Sequence, residues 1–345
     1  MTAQTHHQAS LVNRAQSEQV KVSIQVKRPL PEPTVVFRSY WEFACERQNI
    51  FFKRLNNTLG PWTDDPVLRI YKFTNAYRAS DRVSQFLLHN VIYGGSQAPQ
   101  DLFFRTMLFK LFNKIETWEL LSRELGEITW DKYSFKRFNP VLSKAIDGGT
   151  TIYSSAYIMP SGSSTFGSAR KHENHLHLIE FMMKDRLYEQ LQNAKTMEAA
   201  YHLILAYPTI GSFLAYQYLI DLNYSNLTNF DEMDFVVPGP GAKDGIAKCF
   251  QKRGDWTESD IIRMMAETQD DQFAKFDLTF NNLFGRKLQL IDCQNLFCEV
   301  DKYARVAHPE VAGLSGRTRI KQTHRPLYKP IKYTYPPKWG LDLNT

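Results

Sequence analysis

Apolar residues recur at steps of three and four through most of this chain, and that spacing constrains its fold more than any other feature. Between about residues 37 and 120, "SYWEFACERQNIFFKRL", "VLRIYKFTNAYRASDRVSQFLLHNVI" and "DLFFRTMLFKLFNKIETWELL" each read as an amphipathic or buried helix. The period returns in "HLHLIEFMMKDRLYEQLQNA", "MEAAYHLILAY", "GIAKCFQKR", "SDIIRMMAETQDDQFAKF" and "LQLIDCQNLFCEVDKYARV". Strands do not alternate with helices, and no internal repeat is visible, so the expected fold class is all-α. Residues 146–169, rich in Gly, Ser and β-branched side chains, predict a long surface loop with a short strand or helix inside it.

Three segments are expected: a disordered leader at 1–36, a helical domain at 37–312, and a basic, aromatic extension at 313–345. Pro29, Pro31 and Pro33 close the leader and oppose regular structure there. With 345 residues, 43% of them hydrophobic, the chain can bury a substantial core. No apolar run reaches the ~18 residues of a membrane span and the N-terminus lacks a signal-peptide layout, so a cytoplasmic monomer without a membrane partner is expected. Cys45, Cys249, Cys293 and Cys298 form no C-x-x-C pair and read as buried free thiols. His172 and His175 stand one turn apart without a third ligand on that face, so neither a metal nor another cofactor is expected.

The formal charge of +6 is unevenly placed. Between Val311 and Leu341 lie Arg317, Arg319, Lys321, Arg325, Lys329, Lys332 and Lys338 with no acidic residue, interleaved with Tyr328, Tyr333, Tyr335 and Trp339. Such a segment suits a phosphate backbone with bases to stack on; a solvated tail wrapping its own surface has the same composition.

In "AYPTIGSFLAYQYLI", Pro208 ends one helix, and Gly211 leaves the first amides of the next uncovered, Ser212 among them. Helix-start amides and a positive dipole end can hold a DNA phosphate. The stretch Tyr207-Pro208-Thr209-Ile210-Gly211-Ser212-Phe213-Leu214-Ala215 resembles the helix-hairpin-helix of the DNA glycosylase superfamily, usually L-P-G-[VI]-G-x-x-x-A, with Thr209 replacing the first Gly. An ordinary helical corner has a similar pattern. The resemblance implies a catalytic Asp about twenty residues on, before the next helix. Asp234, 23 residues past Gly211 and shortly before a helix expected near Ala242, fits that place and would stabilise an oxocarbenium-like sugar. Asp231, Glu232 and Asp234 also fit an exposed acidic turn. Lyase members carry a Lys where this chain has Phe213, which implies monofunctional chemistry; Lys243 is the nearby amine. Gly239 and Gly241 of "VVPGPGAKDG" offer bare backbone to a phosphate or to a bulky substituent, or simply a tight connection.

A closer resemblance covers about Tyr40 to Gly340. "YWEFACERQNIFFKR", "PWTDDPVLRIYKFTNAYRASDRVSQF", "DFVVPGPGAKDGIAKCF", "LQLIDCQNLFCEVDKYARVAHPE" and "SGRTRIKQ" are similar to the group holding the helical domain of 5-hydroxymethyluracil DNA kinases and the α-glutamyl/putrescinyl-thymine pyrophosphorylases. That group is regarded as a divergent helix-hairpin-helix glycosylase branch. The resemblance implies handling of hypermodified pyrimidines in phage DNA, some members installing substituents and antiviral ones excising the base. No G-x-x-x-x-G-K-[ST] occurs, which argues against P-loop kinase chemistry in this chain.

On one expected helix, Lys72, Asn75, Arg78, Asp81 and Arg82 share a face, and Lys72, Asn75 and Arg78, together with Lys243 further along the chain, are the candidates to read a flipped base or its substituent; a ladder of surface ion pairs is the alternative. On another, Asp292, Asn295, Glu299 and Lys302 form a polar stripe. Glu299 or Asp301 is a candidate second acid/base, and Lys302 and Arg305, with Arg317, Arg319 and Lys321, are candidate phosphate contacts; structural salt bridging fits equally. The resulting expectation is a DNA glycosylase that excises a modified pyrimidine from DNA as an antiviral activity, with Asp234 as the driving carboxylate. The first alternative is a transferase that places an amine or amino acid on (pyro)phosphorylated 5-hydroxymethyluracil. The second is a non-catalytic sensor of modified DNA.

Overall fold

Thr34 turns its hydroxyl back to the Val36 N–H and so starts helix α1 (Val35–Asn56). The computed structural model describes residues 28–57, 59–326, 328, 330 and 332–342. Most of the expected leader, residues 1–27, lies outside the described residues. Residues 31–345 form one unit. Its first element is strand β1 (Glu32–Pro33), which pairs antiparallel with β2 (Phe250–Lys252), so ordered chain precedes Phe37.

After α1 come α2 (Pro66–Ile70), α3 (Arg82–Phe86), α4 (Pro99–Phe112), α5 (Ile115–Leu125), α6 (Phe135–Asp147) and the single turn α7 (Ser163–Phe166). The second half holds α8 (Lys171–Lys184), α9 (Leu187–Asn193), α10 (Met197–Leu205), α11 (Ser212–Asn223), α12 (Pro240–Cys249), α13 (Glu258–Glu267), α14 (Gln269–Lys275) and α15 (Leu290–Ala307). The protein is all-α apart from the two-stranded pair. Among the described residues, no helix is long and apolar enough to cross a membrane.

Two groups of helices share the core. In one, α1, α12 and α13 pack on α15; in the other, α4, α8, α9, α10 and α11 pack together. Helix α12 approaches α15 closely because it carries glycine at the contact: a Cβ on Gly245 would lie 2.0 Å from the Phe297 carbonyl oxygen, and one on Gly241 2.3 Å from the Cys298 sulfur. A Cβ on Gly239 would lie 2.8 Å from the Phe213 ring. These glycines are therefore accounted for by packing.

Several expected helices differ from the observed ones, and two of them are simply divided, into α8 and α9 and into α13 and α14. The segment 66–92 is interrupted: after α2 the chain runs irregularly from Tyr71 to Tyr77, makes a 3-10 turn at Arg78–Ser80, and only then enters α3, which continues as π-helix through Leu87–Ile92. The reason is competition for backbone donors. The Thr74, Asn75 and Arg78 N–H groups go to the carboxylates of Glu299 (2.9 Å), Asp81 (2.7 Å) and Asp292 (2.8 Å), not to helix carbonyls. Lys72, Asn75 and Arg78 thus do not share a helix face. The third segment splits into α4 and α5 where Asn113 takes a left-handed conformation, φ 49°. Helix α12 begins at Pro240 rather than Ala242.

The C-terminal extension lies against its own protein. The Lys72 N–H donates to the Gln322 carbonyl and the His324 N–H to that of Ile70, around a bridge between Tyr71 and Thr323. Tyr333 stacks on Tyr335, and Tyr335 on Trp339, at ring separations of 6.2 and 6.0 Å. Arg286 lies 3.9 Å over the Trp339 ring, and Lys338 donates to the Ser225 and Thr228 carbonyls. These three rings are packed internally, while Tyr328 is exposed.

Candidate active site

Where the 72–81 ribbon crosses α15, polar side chains from distant segments converge. Asn295 donates to the Thr74 hydroxyl at 2.9 Å, and Glu299 accepts the Thr74 N–H and pairs with Lys302 at 2.8 Å. Arg47 of α1 reaches over the ribbon: its Nε donates to the Thr74 carbonyl at 2.8 Å and its Nη2 to Asn75 Oδ1 at 3.0 Å. Burial pushes Asp81 up to about 7 against the bond from the Asn75 N–H; Glu299 adds to the rise, and Arg47 and Arg78 oppose it. Burial, then Arg47, Arg54 and Lys72, hold His324 below its usual value. Two carboxylates, Glu299 and Asp81, thus hold successive N–H groups of the ribbon, with Arg47 bonded to the same two residues.

Below this crossing lies a buried ion cluster. Arg78 holds Asp221 of α11 through Nη1 at 2.7 Å and Nη2 at 3.0 Å, and Lys110 of α4 meets the same carboxylate at 3.0 Å. Burial pushes the Asp221 carboxyl up, yet the two cations hold it below the usual range. Burial and Arg78 lower Lys110, with Asp221 opposing. Arg78 Nε also donates to Gln217, whose amide donates to Gln294 of α15 at 3.3 Å, joining the two helix groups. Tyr157, from the loop between α6 and α7, places its ring 4.5 Å from Lys110 Nζ and stacks on Phe213.

The structure therefore brings Asn75 and Glu299 to one crossing through Thr74 and Asn295, whereas Arg78 turns its guanidinium to Asp221 and Lys72 is exposed. It separates Asp301, which is buried between Lys248 at 2.9 Å and Arg305 at 2.5 Å on another side of α15; Arg305 also donates to the Arg319 carbonyl. Asp234 is exposed, and its backbone carbonyl is held by Arg263; the buried acid of that turn is Glu232, 2.9 Å from Arg286. Burial pushes Glu232 up to about 7, Asp292 adding to this and Arg286 opposing. Gly211 and Ser212 are exposed at the start of α11, which no side chain caps. Gly239 is buried against Phe213, Gly241 half-buried against Cys298, and Lys243 exposed on the first turn of α12. Arg317, Arg319 and Lys321 are exposed. His172 bonds Asn139 and Ser143, and His175 bonds Tyr153 and the Pro160 carbonyl.

Arg47, Lys110, Gln217, Asp221 and Tyr157 were not among the expected site residues. The available signal was a single charge inside an apolar run, Lys110 in "LFKLF" and Asp221 in "YLIDL", because such a charge needs a buried partner.

Fold and site together define a helical protein whose two helix groups meet at a junction of buried acids and cations. The family described as "5-hmdU DNA kinase, helical domain" matches residues 34–313, and the chain belongs to that family. It is 27% identical over 299 residues to the 5-hmdU DNA kinase of Bacillus phage SP10, a match covering 81% of this chain and 47% of the phage protein. The chain thus spans about half the length of that relative. No solved structure matches it. These findings overturn the expectation of a DNA glycosylase, a hydrolase: the relative is named as a kinase, which is a transferase.

Proposed function

We propose that this chain binds DNA containing a 5-substituted pyrimidine and catalyses group transfer at that substituent, with an amine or amino acid replacing (pyro)phosphate on 5-hydroxymethyluracil. The single observation that carries the reading is that Asp81 and Glu299 accept the N–H groups of two successive ribbon residues, Asn75 and Thr74, with Arg47 bonded to the same two residues, in a family named for a 5-hmdU DNA enzyme. Ionised Asp81 would take the proton from an incoming ammonium. The amine nitrogen then bonds to the 5-methylene carbon as the C–O bond to (pyro)phosphate breaks. Arg47 and Lys72 would offset the charge gained by the leaving oxygen. The bond between base and sugar takes no part. A divergent helix-hairpin-helix origin for the α10–α11 corner belongs to the same proposal; it is supported by the uncapped start of α11 at Gly211.

The test is to incubate the chain with DNA carrying pyrophosphorylated 5-hydroxymethyluracil and a panel of amines, then digest the DNA to nucleosides for mass spectrometry. A new 5-aminomethyl-type nucleoside, lost in Asp81→Asn, is expected. Unchanged nucleosides with tight, substituent-dependent binding would reduce the chain to a recognition module, and no binding at all would overturn the reading.

A further inference from the structure

Tyr157 has the least favourable backbone of the residues around the site. It sits at φ 55°, the left-handed region that bulky side chains rarely adopt, while its neighbour Ile158 is 73% exposed. Despite that, its ring is fully engaged. It lies parallel to Phe213, 3° between planes and 5.6 Å between centres, with the Lys110 ammonium 4.5 Å from its centre. Its hydroxyl points to Gln217 Oε1 at 3.4 Å. The platform beneath is fixed, because the Phe213 ring rests against the backbone at Gly239.

We infer that Tyr157 fills the seat of a flipped pyrimidine and must swing out for the base to enter; this rests on the modified-pyrimidine reading above. A pyrimidine is also a planar six-membered π ring, so it can take the same stack on Phe213 and the same contact with Lys110. The Gln217 amide, which presents an oxygen to the tyrosine hydroxyl and an N–H to Gln294, can accept from or donate to the edge of a uracil-type base. Arg78 and Asp81 of the ribbon both lie within electrostatic reach of the Tyr157 hydroxyl. The left-handed backbone makes the plug removable, since leaving relieves an unfavourable conformation.

The experiment compares the wild-type chain, Tyr157→Gly and Tyr157→Phe for binding to single-stranded oligonucleotides carrying one 5-hydroxymethyluracil, one thymine, one cytosine or one abasic site in an otherwise identical sequence. Glycine accepts the backbone conformation and empties the seat. Tyr157→Gly is expected to bind the 5-hydroxymethyluracil strand at least about fivefold tighter than wild type, the low end of base-on-aromatic stacking. The abasic strand should show no gain, and Tyr157→Phe, which keeps the ring, should show none either. Equal gain on the abasic strand, or no gain on any pyrimidine, overturns the plug. Equal gain for all three pyrimidines keeps the plug but removes the modified-base reading. In the wild-type chain, nitration of Tyr157 followed by peptide mass spectrometry should rise on adding the 5-hydroxymethyluracil strand; unchanged reactivity at saturating DNA also overturns the plug, whether or not the glycine variant folds.

Discussion

Arg78 holds Asp221 through two guanidinium nitrogens, at 2.7 and 3.0 Å, across 143 residues of sequence. With Lys110 on the same carboxylate, two cations share one anion in a buried cluster. The ribbon carrying Arg78 is thereby tied to α11, and through Gln217 and Gln294 to α15.

The uneven charge count gives an ordered pair of outcomes. Asp221→Ala leaves both cations buried without a counter-charge and should cost about 3–5 kcal/mol in urea unfolding. Lys110→Met leaves one cation on one carboxylate and should cost far less, about 1 kcal/mol or nothing. Equal losses from the two variants would show that the cluster is not electrostatically coupled in this way.

Acid groups raised by burial set the sign of the pH dependence. Asp81 and Glu232 are pushed up to about 7 and Asp292 to about 6, each by burial first. Between the ordinary carboxylate range and these values the folded chain holds more protons on these three acids than the unfolded one, so their contribution to stability should fall as the pH rises from about 4 to 7, while His172, His175 and His324, held low by burial, act with the opposite sign. Asp81→Asn should flatten part of that slope in unfolding measured at pH 5 and pH 7.5. Transfer activity should rise through about pH 7 as Asp81 loses its proton, and the variant should lose about 10²- to 10⁴-fold at the plateau.

Helical period was legible because it comes from apolar spacing alone. The break at 71–81 was not, because it depends on Glu299 and Asp292, more than two hundred residues downstream, taking the Thr74 and Arg78 N–H groups. For the same reason Lys72, Asn75 and Arg78 looked like one helix face and are instead three points along a ribbon. Asp234 was singled out by spacing from Gly211, which cannot distinguish it from Glu232 two residues earlier; burial separates the two. The aromatic rings of the extension were legible as a cluster, but their partners, Phe51, Tyr224 and Phe284, lie on other segments.

Thr209 occupies the left-handed region at φ 69°, where a β-branched side chain is disfavoured, and its hydroxyl has no hydrogen-bond partner. Gly would adopt that conformation without strain. Thr209→Gly should raise stability by about 1 kcal/mol, read as a higher urea midpoint with an unchanged slope.

The α12–α15 contact supplies a prediction that depends on which atom is struck. A methyl group on Gly245 would meet the Phe297 carbonyl at 2.0 Å, and backbone inside a helix cannot yield, so Gly245→Ala should cost about 3 kcal/mol or more. A methyl on Gly241 would meet the Cys298 sulfur at 2.3 Å but its Cβ only at 3.2 Å and its Cα at 3.6 Å. Gly241→Ala alone should be destabilising by about 1–3 kcal/mol. Adding Cys298→Ala removes the struck atom while keeping the helix, so the double variant should recover most of that loss. A double-mutant cycle in urea should therefore give a favourable coupling of about 1 kcal/mol or more for Gly241 with Cys298, and none for Gly245 with Cys298.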